Sequence, residues 1–107
     1  MSIPAPRGNS ELFECVLLAR QVQEDALPWQ DGCGEIARRV VAGRVNPNDV
    51  CSLLAEVSKS LPSVKELHAF ELLAHEQYGH EHLGITAESC AVEIIEECRQ
   101  LASLGGG

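Results

Sequence analysis

The sequence predicts an all-α fold, a compact bundle of about five short helices without a sheet, from the spacing of its apolar residues. Apolar side chains recur at steps of three and four, and no stretch alternates apolar with polar as a strand would. Glycine, proline and cap residues interrupt that pattern at short intervals. A length of 107 residues suits one small domain with a single modest core.

The first helix is expected from Ser10, a cap residue with Glu11 in the first turn. Its apolar stripe is Leu12, Cys15, Val16, Ala19 and Val22. The second is expected from Glu35 to Ala42, after an Asp31-Gly32-Cys33-Gly34 turn, with Gly43 as its stop. Asn46-Pro47 is a cap followed by a first-turn proline, and it starts a third helix with Val50, Leu53, Leu54, Val57 and Leu61 inward. The fourth is expected from Ser63 to Tyr78, ended by Gly79, with Val64, Leu67, Phe70, Leu73 and Ala74 on its apolar face. Thr86 caps the fifth, and Glu88 in its first turn suits the helix dipole. Ala87, Ala91, Ile94, Cys98 and Leu101 form its stripe. The organisation that follows is a disordered arm over 1–9, one helical domain over 10–104 and a flexible glycine tail over 105–107.

The four aromatics are Phe13, Trp29, Phe70 and Tyr78, so Leu, Val, Ile, Ala and Cys must fill most of the core. Trp29 is expected to close the core with its ring. The five cysteines are an odd number without a CxxC pair, which argues against a disulfide framework and a zinc ribbon. Four of them lie within apolar helical patterns, where a free cysteine packs as a small hydrophobe. No apolar run approaches the roughly 20 residues that span a bilayer. The opening MSIPAPRGNS lacks the apolar stretch of a secretory signal, so a cytoplasmic location is expected.

Charge divides the chain unequally. The formal net charge is −8. Between Glu66 and Cys98 lie eight glutamates (66, 71, 76, 81, 88, 93, 96 and 97) and no Lys or Arg; the remainder holds eight acidic and eight basic residues. All four histidines, at 68, 75, 80 and 82, fall in the same acidic stretch. Such a surface repels phosphate backbones and anionic membranes, so neither nucleic acid nor membrane is an expected partner. Its natural attractor is a basic surface on another protein. Arg38, Arg39 and Arg44 form the one basic cluster, and Glu35 stands four residues before Arg39 in the favourable ion-pair order, as on a solvated helix face.

At the centre of the acidic stretch is HEQYGHEH, from His75 to His82. It falls one residue short of a metalloprotease helix, which needs histidines at i and i+4 so that both point at one ion. Gly79 holds that position here, and His80 at i+5 is turned away by about 140° on a regular helix. Cys33, between two glycines, lacks any surrounding nucleophile signature. No catalytic set and no cofactor are therefore expected. The favoured reading is a small acidic, non-enzymatic protein-binding module: an inhibitor, antitoxin or immunity-type protein, or an adaptor. It would dock a basic protein through Glu71, His75, Glu76, Tyr78, His80, Glu81 and His82. The alternative is a structural or sensory metal site, with Glu71, His75, His80 and His82 as nitrogen and oxygen ligands.

Overall fold

A computed structural model describes the backbone of residues 7–77 and 83–105 and the side chains of residues 10–77 and 83–104. Among the described residues five α-helices follow in order: α1 Arg7–Gln23, α2 Trp29–Val41, α3 Pro47–Ser60, α4 His68–Glu76 and α5 Ala87–Gly105. A 3-10 turn, Lys65–Leu67, leads into α4. No strand occurs among the described residues, so the all-α expectation holds. No helix among them is long and apolar enough to cross a membrane.

The helix ends show local chemistry at work. Asn46 caps α3 by accepting the Asn48 N–H at 2.8 Å, and Pro47 takes the first helical position, as its sequence predicts. α2 ends on Gly43 in the left-handed region, φ 76°. The Arg44 N–H reaches the Arg39 carbonyl at 2.9 Å and the Gly43 N–H the Val40 carbonyl at 3.0 Å, a Schellman pair. α1 ends in the same way with Asp25 at φ 64° in place of glycine. Thr86 and Ser89 cap α5 reciprocally, each hydroxyl accepting the other's backbone N–H at 3.0 and 2.9 Å.

Four boundaries depart from expectation. α1 begins at Arg7, so Ser10 lies inside its first turns and residues 7–9 are helix rather than arm. Gly105 likewise belongs to α5 and not to a tail. The largest departure is α2, which starts at Trp29 and carries the whole Asp31–Gly34 stretch as helix. Gly32 explains it. A Cβ there would sit 2.3 Å from Cγ2 of Val22 and 3.1 Å from Cδ2 of Leu27. The bare glycine lets α1 and α2 approach closely, and that packing outweighs its poor helix propensity of about 1 kcal/mol. The fourth helix is also shorter than expected: Ser63 lies in a turn and helix runs only from Lys65 to Glu76.

α2 and α5 share the most extensive contact, α3 packs on α4, and α1 lies across α2 and α3. α3 therefore touches each of the other four helices. The core comprises the expected stripes, with Val50, Leu54 and Val57 of α3, Phe70 of α4, and Ile94, Cys98 and Leu101 of α5 buried. Ile36, Ala37 and Val40 of α2 fill its other side. Trp29, the first residue of α2, is half-buried against this core.

Candidate docking surface

The residues expected to bind a partner divide between described and undescribed parts of the chain. Glu71, His75 and Glu76 lie on α4. Tyr78, His80, Glu81 and His82 lie outside the described residues, and with them half of the alternative ligand set. His75 is exposed in the last turn of α4, and Glu76 is half-buried at its end. Glu71, one turn before His75, lies on a different side of α4 from Glu76. Its carboxylate accepts the hydroxyl of Ser58, a residue of α3 with no exposure. Five residues separate Glu71 from Glu76, which rotates one about 140° from the other around α4. Glu71 thus ties α4 to α3 and does not join an outward surface with Glu76. His68, the remaining histidine, hydrogen-bonds through Nε2 to the Pro62 carbonyl at 2.8 Å and braces the turn before α4.

The acidic side chains that do gather come from two helices. Glu76 of α4 and Glu93 of α5 both lie close enough to Cys90 to push its thiol pKa up, beside the larger effect of burial. Further along the same α4–α5 seam, Glu66 and Glu97 line one small hollow of about 110 Å³ with Lys65. Glu96 pairs with Arg99 at 2.8 Å. Among the described residues, no other glutamate of the Glu66–Cys98 run meets a Lys or Arg.

The arginines of α2 and of the connection after it are committed elsewhere. Arg39, 15% exposed, donates to Glu35 on its own helix and to Glu11 and Glu14 on α1. Arg44 holds Glu11 at 2.7 Å and Arg38 holds Glu35 at 3.1 Å. The Glu35–Arg39 pair is the one the sequence predicts, but the cluster as a whole joins two helices and is more than a solvated face. These bonds, that from Arg39 first, hold the Glu35 carboxyl below its usual pKa.

A buried glutamine fixes the end of α4 on the bundle. Gln77, 1% exposed, accepts from Asn48 Nδ2 at 2.8 Å and donates to the Asn48 carbonyl at 3.2 Å and to Ser52 Oγ at 3.3 Å. The same Asn48 amide donates to the Ala87 carbonyl at 2.9 Å, so one side chain pins the end of α4 and the start of α5 to α3. Sequence reasoning does not find this latch, because a buried glutamine reads like an exposed one until its partners are known. Asn48 also borders an open cleft of about 1150 Å³ between the start of α1, the α2–α3 connection and α5. Val40, Val45, Ala91 and Ile95 give it an apolar lining, and Arg44, Glu11 and Glu88 give it charge.

Metal and nucleophile chemistry find little among the described residues. No group of three or more His, Cys, Asp or Glu side chains there could hold a metal ion. All five cysteines are free and buried. Burial pushes the Cys15 thiol up to about 11 and those of Cys33, Cys51 and Cys98 up to about 12. Cys33 sits within α2 with no exposure, which removes the turn and the nucleophile together. A thiol reagent at pH about 8 is therefore expected to label none of the five in the native protein within minutes, since only the thiolate attacks. In denaturant all five should react, and partial native labelling measured by mass would contradict this packing.

No protein-family model matches the chain, and no curated protein or solved structure matches it.

Proposed function

We propose that the protein is a non-enzymatic binding module, an inhibitor, antitoxin or immunity-type protein or an adaptor, that docks a basic surface of another protein. Its working surface is the α4–α5 seam, Glu76 and Glu93 foremost, together with the segment from Tyr78 to His82. One observation carries this reading: the cations of α2 and of the connection after it are consumed by Glu11, Glu14 and Glu35, while the seam carries glutamates from two helices with Arg99 and Lys65 as the cations beside them. Complementary charge of this kind raises association rate and selectivity more than raw affinity.

The partner is sought by affinity purification from the native host with mass spectrometry, and its binding is then measured with purified components. Reversing Glu76 and Glu93 to lysine should weaken binding about tenfold at low salt, with thermal stability kept. The difference should shrink at high salt, where the Debye length falls to about 3 Å. Equal binding by the variant at low salt would remove the reason for choosing this surface. Tag-free protein carrying stoichiometric zinc, lost on His80→Ala, would replace docking by the metal reading built on Glu71, His75, His80 and His82.

A further inference from the structure

α1 presents an apolar face that the bundle leaves uncovered. Its run from Leu12 to Ala19 is apolar apart from Glu14, and a helix apolar on nearly all sides is normally buried on nearly all sides. Cys15, Ala19 and Val22 are indeed buried against α2 and α3, yet Phe13 is 63% exposed and Leu17 40%. These two stand one turn apart on the outer side, a pair of large side chains at i and i+4.

The charges around that pair select its cover. Leu72 and Val92 are as exposed as Phe13, but they lie on α4 and α5 among the unneutralised glutamates. A second copy arriving there would set like charges against like. α1 belongs to the part of the chain whose acidic and basic residues balance, eight of each. Glu14 and Arg20 lie three residues to either side of Leu17, and both are exposed. If two α1 helices pack antiparallel about a two-fold axis at Leu17, residues equally spaced from Leu17 come level with each other. Glu14 stays with Arg39 of its own copy, while Arg20 of one copy comes onto the flank that holds the ring of Phe13 of the other, which provides a cation–π contact that the symmetry repeats.

From this face we infer that the protein self-associates as a two-fold dimer through α1, with Leu17 on the axis. The shared apolar surface is that of one helix face, small beside the roughly 1,200 Å² of a standard interface, so the dimer is a weak one with dissociation in the micromolar range. It leaves the α4–α5 seam open and does not depend on what that seam binds.

Sedimentation velocity of the full chain over about 1 to 500 μM tests it across that micromolar range. The expected result is a concentration-dependent shift from 11.6 kDa toward twice that mass. Phe13→Glu with Leu17→Glu should hold the protein monomeric with its helical content unchanged. Arg20→Glu, an exposed change that cannot disturb the core, should raise the dissociation constant about tenfold by losing both symmetric contacts. A Leu17→Cys variant should form an intermolecular disulfide under mild oxidation, since the axis brings the two sulfurs together and the native cysteines are buried. A wild-type monomer throughout the range, or a dimer that survives the double glutamate change, would overturn the inference.

Discussion

Replacing Phe70 with alanine is expected to cost about 3–5 kcal/mol, the range for emptying a fully buried aromatic site. Against a domain stability of about 5–15 kcal/mol this is a large fraction, enough to leave much of the protein unfolded at 37 °C. The site cannot collapse to refill itself. Phe13 is exposed and Trp29 is only half-buried, so among the described residues Phe70 is the aromatic with no exposure. Its neighbours in the core are aliphatic or cysteine, including Cys51, whose thiol donates to the Phe70 carbonyl at 3.4 Å. α4 is nine residues long and buries only Phe70 and Leu73 fully, so its attachment to the bundle depends on few side chains. Urea denaturation should show the midpoint falling while far-UV helicity at zero urea is retained or partly lost. Phe70→Leu, which restores most of the volume, should recover most of the stability. A loss under about 1 kcal/mol for the alanine variant would mean that this site relaxes as loosely packed cores do.

How far the sequence carries the structure depends on how local each feature is. Asn46-Pro47 and Gly43 are legible because a cap, a first-turn proline and a left-handed stop need only their own neighbours. The stripes of α3 and α5 are legible for the same reason, as period alone assigns the inward face. Gly32 is not, because its reason for being glycine is Val22 on another helix. A Gly-Cys-Gly stretch therefore reads as a turn until the neighbour is known. Glu71 shows the same limit at the candidate site: its place in an acidic run is plain, but its commitment to Ser58 is a tertiary fact. Glu93 and Glu97 join the seam through packing of α5 on α4, and nothing in their sequence context singles them out. The charge asymmetry was readable as a count, whereas its cause, arginines consumed between α1 and α2, required the fold.

Arg39→Met should be the most damaging single change at the surface of the bundle. The guanidinium joins Glu11, Glu14 and Glu35, and its side chain and that of Glu11 are each only 15% exposed. Removing one partner from a fully buried pair costs about 3–5 kcal/mol, chiefly by leaving charge uncompensated. Here Arg44 still holds Glu11, Arg38 still holds Glu35, and Glu14 is 53% exposed, so water and the other arginines absorb part of the loss. An effect of about 2–3 kcal/mol is expected at pH 7 on that discount. Arg39→Lys keeps the charge but loses the fork that serves several carboxylates at once, and should fall between wild type and methionine. The pH dependence separates the network from simple packing. Glu35 has its pKa depressed in the folded state, so its contribution to stability is complete above its unfolded pKa and is lost as pH falls through the lower folded value. Wild type should therefore lose stability on acidification below about pH 4.5, near the ordinary carboxylate range. In Arg39→Met the Glu35 carboxyl loses the partner that lowers it most, so less stability is lost on acidification and the variant should approach wild type at low pH. Thermal melts of both proteins at neutral and acidic pH measure this convergence, and a constant difference at every pH would assign the loss to the buried methylenes of Arg39 rather than to its charge.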